Sequence, residues 1–215
     1  MTMNRRLFAL ALSLLYLIGL TACQNDAVET ASTGADPEEA AADSAEAAAA
    51  ATTAFGGKRH AIPGRIEAEN YDEGEPGVAY HDLDEKNHGV DYRGVTQVDI
   101  EPRTDASGNH GIGWTKAGEW VTYSVVVQES GTYDVSFPVG SGGPGGTFHL
   151  EFDGQDVTGP IEVPDTGSFH TLKTIKKEGV ELEAGEYLMK MVMDADGETG
   201  WVMDVDYIEF EKKSL

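Results

Sequence analysis

Two short acidic couplets, Glu67-Ala68-Glu69 and Asp204-Val205-Asp206, are the residues of this chain whose spacing could do chemistry. On a β-strand both carboxylates of a couplet leave the same side, with α-carbons about 7 Å apart. Alternation from Met203 to Phe210 groups Asp204, Asp206, Ile208 and Phe210 on one side, and Met203, Val205, Tyr207 and Glu209 on the other. Carboxylates so placed repel one another unless a cation or a shared proton intervenes, and they are costly to bury alone. If the first and last strands are neighbours, Glu67, Glu69 and Asp206 converge on an oxygen-only cage, a donor set that suits calcium rather than zinc or copper. Spacing alone leaves a second reading open, three solvated carboxylates. Hydrolysis of a glycosidic bond also uses two carboxylates, but neighbours on one strand do not flank a bond. The six histidines lack zinc spacing and no serine occupies a nucleophile elbow, so no residue pattern proposes catalysis.

A second pattern is aromatic. In the run 119–127 alternation assigns Val121, Tyr123, Val125 and Val127 to a core face, and Trp120, Thr122 and Ser124 to the opposite one. A tryptophan among small hydroxyl residues away from the core reads either as a recognition surface or as a ring packed beneath a loop.

The elements that must position these residues are short strands. Alternating or apolar runs are predicted at 64–71, 97–102, 119–127, 131–139, 147–152, 170–175, 186–193 and 201–210. Turn clusters separate them, among them Ser141-Gly142-Gly143-Pro144-Gly145-Gly146, Asp153-Gly154 and Glu183-Ala184-Gly185. Long helical periodicity is missing, and this many strands at this spacing make an all-β sandwich or barrel of one domain over residues 61–215.

The N-terminal part is of another kind. Asn4-Arg5-Arg6 precedes an apolar run from Leu7 to Leu20, too short to span a membrane comfortably, and Leu20-Thr21-Ala22-Cys23 follows. This resembles a bacterial lipoprotein signal peptide, residues 1–22, with Cys23 as the lipidated residue; a transmembrane anchor or a plain secretory signal are the other readings. Gln24 differs from the aspartate of the inner-membrane retention signal, so the outer membrane of a Gram-negative bacterium is the expected address. Cys23 is the only cysteine, which leaves no disulfide within the chain. Residues 23–60 are rich in Ala, Glu, Asp, Thr and Ser and read as a tether, reaching about 30–35 Å as a coil.

The whole chain holds 15 basic and 38 acidic residues, a net charge of -23. Without Arg5 and Arg6 the balance is 38 against 13, or 25 negative. Such a field repels nucleic acid and anionic polysaccharides, keeps an exported protein soluble, and favours a divalent cation.

The runs IEAENYDEGEPGVAYHDLDEKNHGVDYR, GWTKAGEWVTYSVVV, GTYDVSFPVGSGGPGGTFHLEFDG, VPDTGSFHTLKT and DVDYIEF resemble, in order, a family 6 carbohydrate-binding module over residues 62–212. The resemblance implies a lectin-like β-jelly roll with a structural calcium ion held by Glu67, Glu69 and Asp206. It also implies two sugar sites. At the sandwich edge, Trp114 and Phe169 correspond to two ring-clamping aromatics, and Asp204 stands at the position of a hydrogen-bonding asparagine. Phe169 offers less stacking area than the usual tryptophan, and an ionised Asp204 accepts hydrogen bonds without donating any. On a sheet face, Trp120 and Glu151 match the family's second site. The expected function is that of a lipid-anchored, noncatalytic protein capturing a neutral polysaccharide, such as a β-glucan, xylan or agar-type galactan. A surface adhesin for a protein partner and a glycoside hydrolase are the competing expectations.

Overall fold

The computed structural model describes residues 52–214. Strands dominate, and among the described residues the helical elements are two short 3-10 turns, Phe55–Gly57 and Ser107–Asn109. Fourteen strands, labelled in chain order, form two sheets. The first runs β1 (His60–Ile62), β6 (Trp120–Val127), β12 (Gly185–Ala195), β8 (Thr147–Phe152), β10 (Ile161–Glu162), with β3 (Tyr80–His81) on β6 and β9 (Gln155–Asp156) on β8. The second runs β2 (Gly64–Glu67), β14 (Tyr207–Lys212), β7 (Gly131–Ser141), β13 (Asp204–Val205), β5 (His110–Ile112), β4 (Ile100–Pro102), and β11 (Ser168–Leu182) also pairs with β7. Pairing is antiparallel throughout except between β1 and β6.

The two sheets close on one core, as a β-sandwich must. Val121, Tyr123, Val125 and Val127 of β6 are buried as the alternation predicts, together with Phe148, Leu150 and Phe152 of β8 and Met189, Met191 and Met193 of β12. The second sheet contributes Tyr133, Val135, Phe137 and Val139 of β7, with Ile66, Ile208 and Phe210. Phe137 meets Phe148 edge-on with ring centroids 5.0 Å apart.

Three expectations differ in detail. The strand over 64–71 stops at Glu67, where Asn70 N–H turns back to the Glu67 carbonyl (3.0 Å). The strand expected at 170–175 extends from Ser168 to Leu182; the polar run Lys176-Lys177-Glu178-Gly179 and a register shift there interrupt the alternation, and Val180 and Leu182 beyond it return to the core. The run 201–210 breaks at Asp206 into β13 and β14. Met203 and Val205 lie in the core on one side of the break, Ile208 and Phe210 on the other. Asp204 and Asp206 therefore do not share a side with the apolar anchors, as uninterrupted alternation had it. The break reverses parity, which keeps both carboxylates out of the apolar layer.

The domain also begins earlier than residue 61. Thr53 bridges to Glu73 in both backbone directions, and the Phe55 ring lies under the Arg93 guanidinium, 4.6 Å from its centroid. The predicted signal segment, Cys23 and the first part of the expected tether lie outside the described residues.

Candidate functional site

One end of the second sheet builds an edge cleft. After β5 the chain enters Trp114 in the left-handed region (φ 50), a costly conformation for a bulky residue and one that presents its ring outward, 36% exposed. The turn behind it is tied by Glu119, whose carboxylate accepts from Lys116 N–H (2.7 Å) and Leu83 N–H (3.3 Å). Burial pushes the Glu119 carboxyl up to about 7. The His88 ring lies 6.4 Å from the Trp114 ring, tilted by 31°. Phe169 comes from the start of β11, Asp204 from β13 and Glu101 from β4; with His170 and Trp201 they and Trp114 line a cleft of about 260 Å³. The three edge residues expected from the sequence are thus brought together.

The floor of this cleft is organised by Arg103, which the sequence reading did not single out. Its guanidinium is buried and donates to Glu101, to Asp204 (2.8 Å), bidentately to Asp105 (2.9 and 3.1 Å) and to the Phe169 carbonyl (2.8 Å). One side chain therefore couples the two floor carboxylates to the loop that carries an aromatic wall. Close approach here also requires Gly140, where an added Cβ would stand 2.2 Å from the Phe169 carbonyl oxygen. Burial and then the neighbouring Glu101 raise the Asp204 carboxyl well above the usual range, while Arg103 opposes both. A ring between Trp114 and Phe169 would meet apolar planes on its faces and acceptor oxygens along an edge, the complement of a sugar.

The sequence signal that could have found Arg103 is its spacing in Glu101-Pro102-Arg103-Thr104-Asp105. On an extended backbone that spacing puts one cation beside two carboxylates. Trp201 carried no such signal, because it stands in a loop whose course the residues alone do not define.

The acidic couplets also meet. β2 and β14 are neighbours in antiparallel register, with Tyr207 opposite Glu67, so the pairing of first and last strands is as expected. Glu69 and Asp206 are buried, and Glu67 is half-buried. The turn Ser107–Asn109 clasps the group from outside: Ser107 N–H donates to Asp206 (2.9 Å) and its hydroxyl to Glu67 (2.8 Å). At Gly108 (φ +63) an added Cβ would sit 3.0 Å from Glu69 Oε1. Burial first, then the charges of Glu67 and Asp206, push the Glu69 carboxyl up to about 7; burial and Glu67 push Asp206 up to about 6. Glu67 Oε2 and Glu69 Oε2 are buried without a hydrogen-bond donor. Among the described residues no three His, Cys, Asp or Glu side chains are grouped so that they could hold a metal ion as they stand. The three carboxylates thus form a cradle in which two buried oxygens are left without partners.

Trp120 and Glu151 lie on the outer face of the first sheet, on β6 and β8 with β12 between them. Lys190 of β12 bridges them, its ammonium 4.5 Å from the Trp120 ring centroid and 3.8 Å from Glu151. Glu151 also faces His149 (3.3 Å), which faces Asp194 (2.7 Å). Burial alone would lower the His149 pKa, but its bonds to Asp194 and Glu151 raise it. Thr122 and Ser124, expected to stand beside Trp120 on an open surface, are instead buried: Thr122 donates to the Ala79 carbonyl (2.8 Å) and Ser124 to Asp72 (2.7 Å). The segment along the outer edge of β6 covers them, so the hydroxyls are spent on the protein itself.

A sandwich carrying an aromatic-walled, carboxylate-floored cleft on its loop edge defines a carbohydrate-binding module. The chain belongs to the family Carbohydrate binding module (family 6), whose family model matches residues 88–212. The match takes in Trp114, Trp120, Glu151, Phe169, Asp204 and Asp206, and starts after Glu67 and Glu69. Among solved structures, the chain is similar to a β-1,3-glucan binding CBM6 from Bacillus halodurans (23% identity, 72% of this chain and 99% of that one, TM-score 0.55). It is similar to the module CBM6cm-2 of Cellvibrio mixtus lichenase 5A in complex with cellotriose (25%, 71% and 99%, TM-score 0.52). A third is a family 6 module from Clostridium cellulolyticum in complex with xylose (18%, 71% and 100%, TM-score 0.53). No curated protein matches the chain.

Proposed function

We propose that this protein is a lipid-anchored, noncatalytic receptor that captures a neutral polysaccharide, of the β-glucan, xylan or agar-type galactan class, at the cell surface through the edge cleft. The observation that carries the reading is the convergence of Trp114, Phe169 and Asp204 on one cleft. Its two planar walls suit the C–H faces of a pyranose, and its floor offers acceptors to hydroxyl hydrogens. The surplus of carboxylates disfavours uronic acids and sulfated glycans, because each would bring a second negative charge to an already acidic site. The solved relatives that bind β-1,3-glucan, cellotriose or xylose support the ligand class.

Calcium is the ion that fits the cradle of Glu67, Glu69 and Asp206, where it would supply charge neutralisation and stiffen the junction of β2, β14 and the Ser107–Asn109 turn. Lipidation at Cys23, an acidic tether and an outer-membrane address complete the reading: the module would hold substrate near the cell for separate enzymes. On a glycan array in the presence of calcium, the purified protein should retain neutral β-linked polysaccharides. Silence on the array together with capture of a protein in pull-downs would make it an adhesin, and shortened oligosaccharide products would make it an enzyme.

A further inference from the structure

We propose that residues 82–89 form a strap that is fastened in acid and loosened above neutral pH, and that its fastening fixes the pose of Trp114. The strap leaves β3 after His81 and returns beside β4, where Val90 N–H donates to the Ile100 carbonyl (2.7 Å). It is pressed closely onto that strand: a Cβ added at Gly89 would stand 1.9 Å from the Ile100 carbonyl oxygen.

Two carboxyl side chains of the sandwich hold the strap down. Asp99 accepts from His88 N–H, and Glu119 Oε1 accepts from Leu83 N–H (3.3 Å). Each of them also bonds the backbone that flanks Trp114. The Asp99 carbonyl accepts from Gly113 N–H (2.9 Å), and Glu119 Oε2 accepts from Lys116 N–H (2.7 Å). The left-handed backbone at Trp114 is therefore pinned on both sides by the residues that pin the strap, and the strap in turn sets its His88 ring beside the indole.

Like charges gather where the strap meets the sandwich. Asp82, Asp99 and Glu119 line one recess with His81, Thr115 and Trp120, and its free space of about 20 Å³ has room for about one water. Asp84 of the strap faces Asp82 and Asp99 and lies 3.2 Å from His88 Nε2. Glu85 and Lys86 are exposed, and the Lys116 ammonium is drawn off to the Gly200 carbonyl (3.1 Å). The offsetting groups are rings, His81 and His88 beside Asp82, and His88 beside Asp99. Burial, and with it the charges of Asp82 and Asp99, pushes the Glu119 carboxyl up to about 7. Burial and the charges of Asp82 and Asp84 push Asp99 up to about 6, and burial and Asp84 raise Asp82. A carboxyl whose folded value lies above its free value holds a proton that the opened strap releases, so fastening weakens as pH rises through these values. A neutral carboxyl still accepts an N–H through its carbonyl oxygen, so protonation keeps both clamps while removing the repulsion. The effect on sugar binding rests on the edge-cleft reading: a tryptophan already held in its binding pose loses less freedom on docking, so a neutral glycan binds tighter in acid.

The test is amide hydrogen exchange followed by NMR at pH 5.5 and 8, with each rate divided by that of an unstructured amide at the same pH. Protection of Leu83 and His88 should fall about tenfold between the two, the change that relief of one pKa unit produces. The Trp114 indole N–H resonance should shift with the same midpoint, between about 6 and 7. Asp99→Asn and Glu119→Gln, singly and together, should flatten both responses. Equal protection at the two pH values, or a full response in the double variant, overturns the strap. A Trp114 resonance that ignores the strap's midpoint overturns its coupling to the indole. In calorimetric titration with laminarihexaose, cellohexaose and xylohexaose, the hexaose that binds should bind about threefold tighter at pH 5.5, and the double variant should lose that difference. A wild type that binds none of them at either pH overturns the edge-cleft reading, while the amide response still decides the strap.

Discussion

If the proposed calcium ion is held in the acidic cradle, removing it should destabilise this domain, and the loss should grow with pH. The perturbation is chelation, and its target is the cradle of Glu67, Glu69 and Asp206, where two carboxylate oxygens are buried without donors. In the ion-free protein the Glu69 carboxyl titrates at about 7 against 4.5 for a free glutamate. Between these values the folded state holds a proton that the unfolded chain has released, so stability falls as pH rises through that window. For Glu69 the gap corresponds to about 3 kcal/mol, fully lost above pH 7. A cation bound there would take the place of that proton. At a calcium concentration about a hundred times its dissociation constant the domain gains about 2.7 kcal/mol. For a domain of this size each kcal/mol moves the midpoint by about 2–4 °C, so a rise of about 5–11 °C is expected. The assay is differential scanning calorimetry at pH 5, 6.5 and 8, with EDTA and with calcium. The calcium-dependent shift should be largest at pH 8 and smallest at pH 5. Glu69→Gln should flatten the pH dependence of the ion-free protein and abolish most of the calcium response. A midpoint indifferent to chelation at all three pH values would refute the assignment of all three residues.

Other perturbations address the sugar sites. Trp114 exposes 36% of its surface, about 90 Å² of a large indole; covering it with sugar is worth about 2 kcal/mol, so Trp114→Ala should weaken edge binding by tenfold or more in calorimetric titration. Arg103→Met leaves Glu101 and Asp204 facing each other without a cation and should cost about 3–5 kcal/mol in urea unfolding, with loss of sugar affinity as the Phe169 loop is released. A variant as stable as wild type would show that Arg103 is not the strut of the cleft. Asp204→Asn gives the floor a donor at every pH, whereas the Asp204 carboxyl, raised to about 8 by burial and Glu101, donates only while it keeps its proton; above that pH the variant should bind tighter by about 0.5–1.5 kcal/mol where the sugar offers an acceptor oxygen there. At the sheet face, Lys190→Ala uncovers Trp120 and frees Glu151, so it should raise affinity for internal glycan segments, whereas Trp120→Ala should abolish it. Two unchanged affinities would exclude a sugar site on that face.

Much of this architecture was legible in the residues. Strict alternation in the runs 119–127, 131–139 and 147–152 carried the core face directly, because strands covered on one side must place every second side chain in the apolar layer. The motifs around Trp114, Phe169 and Asp204 were enough to nominate one cleft. Alternation misled where a strand is interrupted. At Asp206 the backbone breaks step and parity reverses, a local event that no period-2 pattern contains. It also misled at Thr122 and Ser124, where backbone from another part of the chain covers a face that alternation left open.

Composition and spacing by themselves determined that this chain is an all-β domain behind an acidic, alanine-rich stretch, because side-chain period and turn residues are local properties. Only the tertiary structure decided what surrounds each carboxylate. Glu69 is pressed against Glu67 and Asp206 by the pairing of β2 with β14, and Asp204 shares Arg103 with Glu101 because β13 and β4 both flank β5. Trp201 reaches the cleft beside Val202, whose N–H is held by the Thr115 carbonyl 87 positions earlier in the chain. These are contacts between residues far apart in sequence, and their energies depend on burial and on neighbours that only folding supplies.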